Sequence, residues 1–283
     1  MTRTPKLSRI YNILVYIFLY APILTLIIFS FNDSKNRVVW SGFTLHWYAD
    51  LFQNEAIINA LIVTLGVAFL ASAIATVFGT LAAIGFFSMK RRPRTILMGI
   101  NNIPMTNADI ITGVSLMLLF VFASQAMGHF FGVTFNLGFG TLLIAHITFD
   151  IPYVILSVMP VLRQLDKHLA EAAQDLGATP MQAFTKVVLP QLRPGIINGA
   201  MIAFTMSVDD FVISYFTAGS STSNLAMEIY AMARRHVSPE INAISTLLFA
   251  VVILLLIIIN VRSIRQEKAE TKRLRAFRRD AMQ

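Results

Sequence analysis

Apolar residues run along this chain in long unbroken stretches, and the polar residues collect between them. Six stretches stand out, at about 10–31, 58–87, 96–123, 139–161, 195–217 and 241–261. Each reaches the twenty or so residues that an α-helix needs to cross a bilayer. The pattern predicts an all-α, polytopic membrane protein with six transmembrane helices. Pro22, Pro104, Pro152 and Pro160 fall inside these stretches, where neighbouring helices can satisfy the carbonyls that a kink frees. The first stretch is too long for a signal-peptide core and lacks a small-x-small cleavage site, so it is expected to stay as an anchor.

Composition supports the same class. Of 283 residues, 56% are hydrophobic and 13% charged, against about 25% charged in soluble domains. The net charge of +8 reads as topology. Nineteen of the 23 Lys and Arg fall in the N-terminal tail, in Lys90–Arg94, between Arg163 and Arg193, and from Arg262 onward; only Lys35, Arg37, Arg234 and Arg235 lie on the other side. Basic residues favour the cytoplasm, so both termini are expected there. This gives a cytoplasmic tail at 1–9, a transmembrane domain at 10–262 and a basic tail at 263–283, with membrane lipids as surroundings and no nucleic-acid partner.

Two segments on the outer side hold more than a connector needs. Residues 32–57 contain Trp40, Trp47 and Tyr48, which suit a membrane–water interface. Residues 218–240 carry Gly219, a Ser/Thr cluster and a short helix through Met227 and Tyr230. Both segments read either as interfacial anchors or as surfaces for a partner.

The stretch between the fourth and fifth spans, 166–190, does not read as a plain loop. Asp166 can cap a helix in which Leu169, Ala172, Ala173 and Leu176 recur on one face. Gly177 suits the left-handed position that ends it. Thr179 and Pro180 restart a second helix as cap and first turn, Ala183, Phe184, Val187 and Val188 form its apolar face, and Pro190 is expected to stop it. Glu171 is poorly matched locally: Lys167 precedes it in the less favourable order and Asp175 follows with like charge. It is either a solvated carboxylate or one awaiting a basic group on another protein.

Carboxylates also fall within the spans, at Asp109, Asp150, Asp209 and Asp210, and spans three to five contain no Lys or Arg. A charge in hydrocarbon is costly and normally faces a cavity or a partner, so these acids suggest a wet path hospitable to cations. Asp109 either lines such a path or caps backbone at the Pro104 interruption. Asp150 reads first as filling the gap at the Ile151-Pro152 kink. On a continuous helix Asp209 and Asp210 project about 100° apart, so one of them would face the path.

Glu171-Ala172-Ala173, then Gly177, then Val187-x-Leu189-Pro190 resembles the EAA loop of ABC-importer permeases. Val187 stands in place of the usual Ile. The resemblance implies a MetI-like type I importer permease whose elbow docks on a separate ATPase, with Glu171 as a polar contact, Ala172 and Ala173 as close-packing residues, Gly177 as the turn, and Leu189 and Pro190 completing the motif. Trp40-Ser41-Gly42-Phe43-Thr44 with Trp47-Tyr48, Thr205 to Phe211, and Ser238 to Ala243 are similar to the spermidine/putrescine permease family, above all to its PotC-type subunit. His236 stands where relatives usually have Gly, and Leu225-Ala226 replaces Leu-Pro. That resemblance implies ABC ATPase subunits, a second related permease, a periplasmic or extracellular polyamine-binding protein and a polyamine substrate, in the bacterial cytoplasmic membrane. Asp209, Asp210 and Asp109 are the candidate pathway residues.

Cysteine is absent, the five histidines form no H-x-x-x-H pair, and neither G-x-x-x-x-G-K-[ST] nor G-x-S-x-G occurs. The chain is therefore expected to be a transport subunit rather than an enzyme, with no cofactor or metal of its own and ATP-Mg bound by the partner. Two competing readings remain at this level. An ion-coupled secondary transporter would use the same carboxylates but leaves the elbow unexplained. An intramembrane enzyme built on Asp209 and Asp210 lacks a nucleophile or a second acidic motif.

Overall fold

The computed structural model describes residues 6–34, 39–166, 168–235, 240–254, 256–257 and 261. Lys35, Arg37, Lys167, His236, Ser238-Pro239 and the basic tail lie outside the described residues. The described elements are helical: α1 Lys6–Phe29, α2 His46–Gln53, α3 Glu55–Ser88, α4 Arg91–Thr106, α5 Asp109–Phe131, α6 Phe139–Gln164, α7 Leu169–Asp175, α8 Pro180–Ala183, α9 Leu189–Asp209, α10 Val212–Thr217 and α11 Leu225–Arg235. A further helix, α12, covers Glu240–Leu254.

Among the described residues five helices are long and apolar enough to cross a membrane: Ile10–Phe29, Glu55–Ser88, Asp109–Phe131, Phe139–Gln164 and Pro180–Asp209. The stretch expected at 96–123 is divided, because α4 ends at Thr106, Asn107 turns extended and α5 begins at Asp109. The stretch expected at 195–217 is likewise divided after Asp209. The last expected span, 241–261, appears as the shorter α12, with residues 255 and 258–260 outside the described residues.

The chain forms two compact units, one from Met1–Ile58 with Glu228–Ile258, the other from Asn59–Met227 with Ile259–Gln283. In the first, α1 exposes its apolar side chains from Ile10 to Tyr20 and leaves those from Ile23 to Phe29 exposed or half-buried. The turn after it is held by Asn32, whose Oδ1 accepts from Ser41 N at 2.9 Å and whose Nδ2 donates to Val39 O at 2.9 Å. The Trp47 indole donates to Asn32 O at 2.9 Å. Trp47 is only 7% exposed, so it locks this loop and does not float at an interface as expected. Trp40 does remain half exposed.

In the second unit α6 is the central helix. Val154, Ile155, Val158 and Leu162 form a core with Ala75 and Ala83 of α3 and with Leu192 and Ala203 of α9. The close approach of α9 depends on Gly195 and Gly199, four apart on one face. A Cβ at Gly195 would lie 3.0 Å from Ser157 O, and one at Gly199 would lie 3.1 Å from Val154 Cα. Small residues at this spacing let membrane helices pack backbone to backbone, where dispersion must replace the hydrophobic drive.

Gly199→Leu is therefore expected to push α9 off α6 and destabilise the chain by about 1–3 kcal/mol. Thermal unfolding of the detergent-solubilised protein measures this, and an unchanged midpoint would refute the close packing.

Candidate functional site

The elbow forms two helices as its sequence suggests, with a difference at each end. At its start the N-cap position of α7 is His168 and no side chain caps the helix, so Asp166 does not cap it as expected. Asp166 Oδ1 accepts from His168 N at 3.0 Å before α7 begins. Helix α7 closes in a Schellman motif: Ala178 N donates to Ala173 O at 3.1 Å and Gly177 N to Gln174 O at 2.9 Å. Gly177 has φ +89, a value that side-chain-bearing residues rarely adopt. Thr179 then caps α8 reciprocally with Gln182: Thr179 N donates to Gln182 Oε1 at 3.1 Å, and Gln182 N donates to Thr179 Oγ1 at 3.3 Å.

Pro190 does not stop the second helix. Residues Phe184–Val188 widen into a π-turn, in which Leu189 N bonds Phe184 O, and α9 continues directly from Leu189. Proline has no N–H to offer, and its ring crowds the carbonyl four residues back. The wide turn makes room for it, so elbow and membrane helix are one continuous lever. Leu189 and Pro190 are half-buried at this junction and do not sit on the open elbow.

Glu171 has a local partner that its charged sequence neighbours did not suggest: His168 Nδ1 lies 2.8 Å from its Oε2. Both side chains are largely exposed. Ala172 and Gly177 are exposed and Ala173 is half-buried. Leu176, 90% exposed, and Met181, 70% exposed, flank the turn. The elbow thus offers an apolar tip beside a carboxylate.

The second feature is the break after α9. Asp210 leaves the helix at φ −66, ψ 122, so Asp209 and Asp210 do not share a continuous helix. Their environments differ sharply. Asp209 is exposed. Asp210 turns inward, its side chain 8% exposed. Its carboxylate caps α10, accepting from Ile213 N at 3.2 Å and from Ser214 N and Oγ at 2.8 Å each. Asn224 donates to Asp210 O at 3.0 Å and to Ser214 Oγ at 2.8 Å.

A buried chain of polar contacts leads away from this cap. His146 Nε2 lies 2.9 Å from Ser214 Oγ, and His146 Nδ1 lies 3.0 Å from Ser207 Oγ. Ser207 Oγ in turn donates to Asp150 Oδ2 at 2.8 Å. Asp150 is 0% exposed, and its Oδ1 has no hydrogen-bond partner among the described residues. Asp150 therefore does not fill backbone at the Pro152 kink; it reaches across to α9. Sequence reasoning missed His146, Ser207, Ser214 and Asn224. The spacing of His146 and Asp150, four apart on one helix face, was the available signal.

Asp109 is exposed in the first turn of α5, where the helix dipole favours an anion. One turn on, Gly113 packs against α10: a Cβ there would lie 3.3 Å from Ile213 Cα and 3.4 Å from Val212 O. The starts of α5 and α10 are therefore in close contact at Gly113.

Residues 75–266 match the family described as "Binding-protein-dependent transport system inner membrane component". The chain belongs to this family. It is a multi-pass inner-membrane permease subunit, not a catalytic one, as the EAA-like segment implied. It is 40% identical over 241 residues to the putrescine transport system permease protein PotI of Escherichia coli K12, covering 85% of this chain and 84% of that one. It is 35% identical over 252 residues to the spermidine/putrescine transport system permease protein PotC of Haemophilus influenzae, covering 89% and 94%. Among solved structures, the permease resembles a bacterial ABC transporter involved in import of the acidic polysaccharide alginate, with TM-score 0.73, 18% identity and 91% and 94% coverage. It also resembles the MetNI methionine transporter in an inward-facing conformation, with TM-score 0.57, 21% identity and 76% and 98% coverage. Those two likenesses establish the type I ABC importer permease fold.

Replacing Thr179 by Ala removes one side of the reciprocal cap and is expected to cost the second elbow helix about 1 kcal/mol. Amide exchange at residues 181–188 should then quicken about fivefold. Unaltered exchange would show that packing, and not the cap, holds this helix.

Proposed function

We propose that this permease carries polyamines inward as one half of the pore of an ATP-driven importer, with six spans and both termini in the cytoplasm. The observation that carries the reading is Asp209, an exposed carboxylate at a helix break, with no Lys or Arg in the sequence between Arg193, near the far end of α9, and Arg234. A polyamine is a flexible chain of ammonium groups joined by methylenes. It needs negative charge to replace hydration and apolar surface for its carbons. Asp209 and Asp109 supply the first. Phe211, two residues on from Asp209, and Tyr215, with ring centroids 5.5 Å apart, suit both needs, since aromatic faces attract ammonium groups. The names of the relatives from Escherichia coli and Haemophilus influenzae, which specify putrescine or spermidine/putrescine, point to the same cargo.

Asp210 is assigned a structural role on this reading, because its oxygens are already engaged in capping α10. The two adjacent acids divide the work: one faces the path, the other holds the break that presents it. A pore site must bind weakly enough to release its cargo, which suits a solvated carboxylate better than a closed cage.

The drive comes from an ATPase subunit seated on the elbow. Leu176 and Met181 would enter its apolar cleft, with Ala172 and Ala173 allowing close approach and Glu171 meeting a basic group after release from His168. The π-turn at Phe184–Val188 passes the movement straight into α9, whose far end is Asp209. A second permease completes the pore, and a binding protein outside delivers the polyamine.

Asp209→Asn is expected to lower polyamine uptake about tenfold at limiting substrate, with the amount of assembled protein unchanged. Asp210→Asn should instead reduce folded protein. Equal uptake by wild type and Asp209→Asn would remove Asp209 from the pathway. Glu171→Lys should leave membrane insertion intact and weaken co-purification of the ATPase; undiminished association would remove Glu171 from coupling.

A further inference from the structure

The buried chain that runs from Asp150 through Ser207, His146 and Ser214 to Asp210 has four links, of 2.8, 3.0, 2.9 and 2.8 Å. A contact this short between two electronegative atoms requires a hydrogen between them. The groups in their ordinary forms cannot fill all four. Ser207 and Ser214 contribute one hydrogen each and a neutral imidazole contributes one, which leaves one link empty whichever ring nitrogen carries the proton. The fourth hydrogen is then a second proton on the imidazole or a proton on a carboxylate. Asn224 cannot stand in, since its two hydrogens go to Ser214 Oγ and to Asp210 O.

Charge leads to the same count. His146 and Asp150 are 1% and 0% exposed, and Asp210 is nearly as buried. Along α5, α6, α9 and α10 the only Lys and Arg are Arg163 and Arg193, near the opposite ends of α6 and α9. Two buried carboxylates with a neutral imidazole would place two uncompensated charges inside the protein. One additional proton halves that.

We propose that this chain is a one-proton clamp, in which His146 and Asp150 act as positioning residues that hold the break between α9 and α10 and so keep Asp209 turned toward the path. The proton moves between Asp150 Oδ2 and His146 through Ser207 without altering the count. In one form Asp150 is ionised, Ser207 donates to it, and both ring nitrogens donate to the serines. In the other, Asp150 donates to Ser207, Ser207 to Nδ1, and Nε2–H to Ser214. All four links are filled in both forms. The part of the proposal that concerns Asp209 rests on the polyamine reading above; the clamp itself does not.

Asp150→Asn tests the count, because its amide N–H supplies the fourth hydrogen covalently. Full-length Asp150→Asn should match or exceed the wild type in thermal stability in detergent at neutral pH. His146→Phe leaves Asp150 without a counter-charge and should lower the folding equilibrium constant at least about tenfold more in the wild-type background than in the Asp150→Asn background. Nitrogen NMR of the histidine rings, with infrared spectra of the carboxyl region, should show either a doubly protonated His146 or a carboxylic acid band that Asp150→Asn removes. A His146 ring with one N–H and no acid band overturns the clamp, as does an Asp150→Asn protein as unstable as His146→Phe. These arms contain no polyamine, so they stand if another solute proves to be the cargo. In the assembled transporter His146→Phe should raise the half-saturating polyamine concentration about tenfold, with Asp150→Asn close to wild type. An unchanged half-saturation in His146→Phe, with the spectra as expected, overturns the positioning role.

Discussion

A helix interrupted inside a membrane span leaves backbone N–H and C=O groups that hydrocarbon cannot satisfy, and each would cost several kcal/mol if left bare. The second unit of this permease is arranged around meeting that demand at Asp210. Its carboxylate takes the first free amides of α10, and Asn224 takes its carbonyl. The cap is anchored through His146 and Ser207 to α6, the helix that also carries the core. Asp209 can remain exposed at the break because its neighbour performs the structural work.

The same logic of satisfied backbone explains the elbow. Two short helices at right places in a sequence do not by themselves transmit force, since a flexible joint would absorb it. Here the joints are closed by hydrogen bonds: a Schellman turn at Gly177, a reciprocal cap at Thr179, and a π-turn that carries the helix across Pro190. The resulting lever is continuous from Pro180 to Asp209. The elbow and the break are therefore the two ends of one helix, whose Gly195 and Gly199 face packs closely against α6.

Much of this was legible from residue order alone. The long apolar stretches required helices of membrane-spanning length, because only helices and closed barrels span hydrocarbon with the backbone satisfied, and barrel strands need only about ten residues each. Gly177, Thr179 and Pro180 announce a turn and a restart through local backbone preference, which needs no tertiary partner. Pro190 misled because its usual effect, ending a helix, assumes an ordinary α-turn before it. The breaks at Asn107 and Asp210 were hidden within apolar stretches, since hydropathy records burial and is blind to dihedral angles.

Sequence by itself determined the class of molecule, the acids available to a cation, and the family motif at the elbow, all of which depend on composition and short-range spacing. Only the tertiary structure decided which acid is exposed and which is enclosed. Asp209 and Asp210 are adjacent and chemically identical, yet one is exposed and the other is enclosed by residues from 146, 214 and 224. Asp150 and Ser207 are 57 positions apart in sequence and 2.8 Å apart in space. A carboxylate's role follows from the donors and the dielectric around it, and those are assembled only when α6, α9 and α10 come together.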